Sequence, residues 1–121
     1  MYFFYWLPVG TDAPVRRTPW VTLTLVLLNV AAYGVILAGG GNSEALYGAA
    51  FKAADPTVLT ALASLFLHAG LLHLAGNLVF LSIFGPPIES RLGALRYGIA
   101  YLACGWLANL AQAAAILRFT P

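Results

Sequence analysis

Apolar residues fill three long stretches of this chain, and the polar positions that interrupt them are few. From Trp20 to Ala38 the chain carries no charge and one amide, Asn29. A bilayer core takes about 20 apolar residues to cross as a helix, so a first span is expected at about 20–38. Pro19 suits its start, and Gly39-Gly40-Gly41 its end. A second stretch runs without formal charge from after Asp55 to Glu89. It predicts a second span within about 58–85, with Leu71 to Phe84 as its main part. Gly85-Pro86-Pro87 is expected to stop it, since consecutive prolines remove donors from the helical ladder. The third stretch, Tyr97 to Leu117 between Arg96 and Arg118, predicts a span at about 97–117. Gly98, Gly105 and Ala108 there are small enough for close helix packing.

The segments between follow from the same pattern. Residues 1–20 open with Tyr2-Phe3-Phe4-Tyr5-Trp6 and are broken by Pro8, Pro14 and Pro19. That reads as an arm on the membrane surface, where aromatic rings are favoured. Residues 39–57 form a loop with Glu44, Lys52 and Asp55, more apolar than a solvated linker. The fold class expected is an all-α membrane protein with three transmembrane helices, forming one unit over 1–121.

Composition agrees and narrows the classes. The 121 residues are 61% hydrophobic and 8% charged, against about 25% charged in a soluble domain. The net charge of +2 is too small and scattered to suggest nucleic acid as a partner. Cys104 stands alone, which excludes an intramolecular disulfide. Arg16 and Arg17 precede the first span, and Arg91 and Arg96 outnumber Glu89 after the second. The excess of basic residues at those ends predicts a cytoplasmic N-terminus and a cytoplasmic 86–96 turn.

Candidate chemistry lies in the second stretch. His68, His73 and Asn77 sit in an uncharged run, and polar groups in lipid are functional candidates by default. His73 and Asn77 are four apart and share a helix face; His68, five before His73, cannot share it in a continuous helix. Gly76 beside Asn77 would admit another helix or a substrate backbone. The structural alternative is interhelical hydrogen bonding, which is also the role expected for Asn29, Asn109 and Gln112. A metal centre is disfavoured, because His68 and His73 lack the i, i+4 spacing of paired ligands and no Cys cluster accompanies them. No cofactor is called for. Glu89 is expected to pair with Arg91 or Arg96, or to cap the next helix.

The composite Phe66-Leu-His68, His73-x-x-x-Asn77, Phe84-Gly85-x-x-x-Glu89 and Leu92-Gly93 resembles the second transmembrane helix of the rhomboid family of intramembrane serine proteases. The resemblance implies the N-terminal half of a six-helix bundle. It gives His73 and Asn77 an oxyanion-stabilising role, His68 and Gly76 a supporting one, and Gly85, Glu89 and Gly93 a structural one. The substrates it implies are membrane-spanning proteins, and the implied setting is a multi-pass protein of the plasma or inner membrane. The family's nucleophile lies in a Gly-x-Ser-Gly-like turn on the fourth helix, and its base on the sixth. Here the serines are Ser43, Ser64, Ser82 and Ser90, none in a glycine elbow. A Ser64–His68 pair is spaced to hydrogen-bond but has no third group to orient it. The chain is therefore expected to be a truncated fragment, inactive alone and lacking the C-terminal helices of its domain. The alternative is a non-catalytic pseudoprotease or a subunit that binds membrane helices.

Overall fold

The computed structural model describes residues 17–40, 57–68 and 70–119. Most of the expected surface arm and of the 39–57 loop lies outside these residues. Among the described residues there are four helices and no strand: α1 Trp20–Ala38, α2 Val58–Ser64, α3 Leu71–Leu92 and α4 Ala94–Phe119. Two of them, α1 and α3, are long and apolar enough to cross a membrane. Helix α4 has the length, with 26 residues, but Asn109, Gln112 and many small residues dilute its apolar character.

Helix α1 starts at Pro19, whose side chain offers no capping bond. The first N–H groups of any helix have no partner within it. Here the carboxylate of Glu89, near the end of α3, accepts from the N–H groups of Val21 (2.9 Å) and Thr22 (2.8 Å). The Thr22 hydroxyl donates to the same carboxylate at 2.8 Å. Glu89 is thus the N-terminal cap of the first helix. This corrects the expectation of a pair with a nearby arginine or a cap on the next helix. An anion also suits the positive end of the α1 dipole. At the other end, α1 stops at Gly39 and Gly40, the latter with φ of 82°.

The second expected span, 58–85, is divided and extended. Thr57 caps α2, its hydroxyl accepting from the Thr60 N–H at 3.2 Å. The helix ends at Ser64, and three i→i−3 bonds, from the N–H groups of Leu65, Phe66 and Leu67, tighten the chain as it leaves. With seven residues, α2 is about 10 Å long and cannot cross a bilayer. Gly70, in extended conformation, then leads into α3.

Helix α3 does not stop at Gly85-Pro86-Pro87 but continues to Leu92. The prolines do cost the ladder two donors. The residues beyond them are held by tertiary contacts, which outweigh that local loss. Glu89 is anchored on α1, and the Gly93 N–H bonds back to the Glu89 carbonyl at 2.8 Å. Gly93 ends α3 with φ of 83°, a conformation glycine adopts without strain. Its carbonyl accepts the first α4 bond, from the Tyr97 N–H at 3.0 Å. Gly85 is buried because α1 and α4 both press on it. A Cβ there would lie 2.6 Å from Thr22 Cγ2 and 2.9 Å from the Tyr97 hydroxyl.

The Glu89–Thr22 contact near one end and an Asn77–Asn29 contact further along set α1 and α3 antiparallel. The buried apolar cluster lies in the same region: Leu25, Leu81 and Tyr97, with Val21, Val26, Phe66 and Tyr101 packed against it. Outside it, large apolar side chains face outward, Leu72 being 87% and Leu59 78% exposed. Such a surface suits lipid or further helices rather than water.

Glu89→Ala should lower stability by roughly 3 kcal/mol or more, since three donors lose a charged acceptor in a buried place. Gly85→Ala should cost about 1–3 kcal/mol by overpacking against Thr22 and Tyr97. Thermal unfolding of the full chain in micelles, followed by circular dichroism, measures both. An unchanged midpoint for Glu89→Ala would mean that α1 does not need this cap.

Candidate functional site

The break between α2 and α3 is what assembles the polar centre. Because α2 ends at Ser64, His68 does not continue the helical path assumed for it, and folds back against α3. It is 3% exposed, and its Nε2 lies 3.2 Å from Asn77 Nδ2. Its Nδ1 lies 3.1 Å from the Phe66 carbonyl oxygen. Asn77 Nδ2 also donates to Asn29 Oδ1 at 3.1 Å, and Asn29 Nδ2 donates to the Leu25 carbonyl. Asn29 is completely buried.

Two backbone carbonyls determine the direction of every bond in this chain. A carbonyl only accepts, so the Leu25 oxygen turns the NH2 of Asn29 toward it and leaves Asn29 Oδ1 facing Asn77. Asn77 must then present its nitrogen. The Phe66 oxygen likewise places a proton on His68 Nδ1, so Nε2 of the neutral ring is the acceptor. Both protons of the Asn77 amide nitrogen are directed within the protein, one to Asn29 and one to His68.

His73 lies one turn before Asn77 on α3 and is exposed. Its ring meets that of His68 edge-on, with centroids 5.1 Å apart and an angle of 70°. Asn77 and His68 are therefore brought together directly, and His73 joins through His68. Gly76 is exposed, and apart from its chain neighbours and the backbone of its own helix no described atom lies within 4 Å of where its Cβ would be. Gly85, Glu89 and Gly93 belong to the other end of α3.

Ser64 does not pair with His68. Its hydroxyl donates to the Ala61 carbonyl and accepts from Asn109 Nδ2 at 2.9 Å. Asn109 also donates to the Ala61 carbonyl at 2.9 Å, so it fastens α4 to the last turn of α2. The interhelical roles expected of Asn29 and Asn109 are seen directly. Sequence reasoning missed the Asn29–Asn77 partnership, although two amides in apolar stretches were its visible signal.

Burial lowers the pKa of His68, and the positive charge of a protonated His73 would lower it further; the Phe66 carbonyl works in the other direction. The net shift is downward from an ordinary value of about 6.5. As pH falls through about 6.5, the unfolded chain takes up this proton before the folded one, so stability declines. Above that pH the contribution is complete and flat. Protonation also puts a hydrogen on Nε2, opposite a hydrogen of Asn77. The unfolding midpoint of the parent chain should thus drop as pH falls below about 6.5, and that of His68→Phe should drop less. Parallel curves for the two would remove His68 as the cause.

Comparison with known proteins agrees with these motifs. Residues 55–120, more than half of the chain, match the Rhomboid domain. Over 52 residues the chain is 42% identical to the Drosophila melanogaster protein named Inactive rhomboid protein 1, covering 43% of this chain and 4% of that one. Over 50 residues it is 36% identical to RHOMBOID-like protein 6, mitochondrial, of Arabidopsis thaliana, covering 41% of this chain and 16% of that one. The chain thus spans a small part of the length of both relatives. No solved structure matches. Matched from before α2 to the end of α4, with His68, His73, Asn77 and Glu89 all inside the matched region, this chain belongs to the rhomboid family.

Proposed function

We propose that this chain is a rhomboid-like membrane unit that holds membrane-spanning helices without cutting them. The observation that carries this reading is the Asn77 amide. Oxyanion stabilisation needs donors aimed at a position the substrate will occupy. Both Asn77 protons are instead spent on Asn29 and His68, in a chain of bonds that ends on backbone carbonyls. The relative named as inactive supports the same reading.

The faces that would take client helices are the outward apolar ones of α3 and α4. Phe80 and Phe84 stack on the first, with centroids 5.6 Å apart, and Leu95, Ile99 and Leu102 are exposed on the second. In this reading α4 is a third span, joining α1 and α3 in a multi-pass protein of the plasma or inner membrane. The N-terminus and the 93–94 turn lie on the cytoplasmic side.

A second reading is favoured by His73, which stands exposed one turn from Asn77. In it, the chain is part of a longer serine endopeptidase whose further helices bring nucleophile and base. His73 and Asn77 then stabilise the oxyanion, and their alanine variants in the longer protein lower kcat by about 10²–10³-fold.

A photo-crosslinking residue at Phe80 separates the two readings. Intact membrane-spanning partners should be trapped in living cells, and the chain should not react with a serine-directed fluorophosphonate. Partners recovered as cleaved fragments, together with fluorophosphonate labelling of the longer protein, would transfer the assignment to the protease. Orientation is read with single cysteines at Ser43 and Ala94 in a Cys104→Ala background. An impermeant thiol reagent should label Ser43→Cys in intact cells and spare Ala94→Cys; the opposite pattern would invert the topology.

A further inference from the structure

Away from the His68–Asn77 centre, where α1 begins and α3 ends, there is a cleft of about 670 Å³. Arg17 and Arg91 line it from the two sides, together with Trp20, Leu92 and the buried carboxylate of Glu89. That carboxylate makes no ion pair with either arginine, its oxygens accepting from the N–H groups of Val21 and Thr22 and the Thr22 hydroxyl, and its single charge leaves the two arginines in excess. Both arginines are exposed, and among the described residues neither meets a carboxylate. The cleft therefore has a cationic rim. Its apolar wall is equally distinctive: Trp20 is 70% exposed, and Leu92 also faces outward.

We propose that this cleft binds the headgroup of an anionic phospholipid. Guanidinium groups match the oxygens of a phosphodiester, with which they form paired charge-assisted bonds. The position selects a lipid over a soluble anion. The cleft lies where two apolar helices end, so an acyl chain leaving the headgroup can run along the outward faces of α1 and α3. Trp20 stands at the level where aromatic rings favour the headgroup zone. The helix N-terminus itself contributes nothing to this site, since its free N–H groups are already occupied by Glu89.

The test uses the full chain, delipidated in detergent and offered phosphatidylglycerol or phosphatidylcholine, with bound lipid counted by native mass spectrometry. One phosphatidylglycerol should be retained in preference to phosphatidylcholine. Arg17→Gln and Arg91→Gln should each weaken retention about fivefold, and the double variant roughly 25-fold. Arg17→Lys with Arg91→Lys should keep most of it, and Arg118→Gln, at the far end of α4, should leave it unchanged. Circular dichroism confirms that each variant is folded. Millimolar inorganic phosphate should displace no more lipid than chloride of equal ionic strength. Equal retention of the two lipids, or equal retention by the double variant, would overturn the proposal. Displacement specific to phosphate would assign the cleft to a soluble anion instead.

Discussion

A carboxylate buried inside an apolar helical bundle is unfavourable unless something meets it, and at Glu89 three donors do. Those donors come from the first residues of α1, a helix whose own start, Pro19, has no side chain able to cap it. Each partner therefore resolves the other's problem. The buried charge acquires hydrogen bonds, and the unpaired N–H groups of a helix end acquire an acceptor. Because the bond is made at one depth only, it also fixes where along α3 the first helix begins.

That register decides the rest. With Val21 and Thr22 fixed to Glu89, the antiparallel pair also brings the side chains of Asn29 and Asn77 within reach of each other, seven residues further along α1 and twelve residues back along α3. Two amides that would each be costly in lipid then satisfy one another. His68 completes the set only because α2 ends at Ser64 and the chain turns before α3. Phe66 in the apolar cluster and Asn109 on the last turn of α2 hold that turn in place. The polar centre is thus a consequence of helix register together with one break, and not of spacing along a single helix.

Much of this was legible in the sequence, and the misreadings have two causes. Helix α1 was clear from Pro19, an uninterrupted apolar run and the glycines after Ala38. The family was clear from the composite around His68, His73, Asn77, Gly85 and Glu89. The break after Ser64 was not, because Leu65, Phe66 and Leu67 are as apolar as a span requires and only Gly70 punctuates them. Pro86-Pro87 misled in the other direction. Proline predicts the end of a helix from local bonding, whereas the continuation of α3 depends on Glu89, whose partners are 67 and 68 residues away. Local rules cannot price a contact of that range. For the same reason Glu89 was read against the nearby arginines.

The energetic setting of Asn77 bears on what such a scaffold can do. An amide proton turned toward a substrate has to leave Asn29 or His68, and in a site sheltered from water the abandoned acceptor stays unpaired, at about 1–3 kcal/mol. A productive oxyanion contact has to exceed that amount before it accelerates anything, and it does so only against full negative charge. A helix that merely docks offers no such charge; its backbone groups are already bonded to each other. In the proposed reading, a client of that kind would leave the Asn77 chain closed and meet the outward apolar faces of α3 and α4. The same arrangement of residues therefore supports holding at no cost to its internal bonds, while catalysis requires that those bonds be broken and remade.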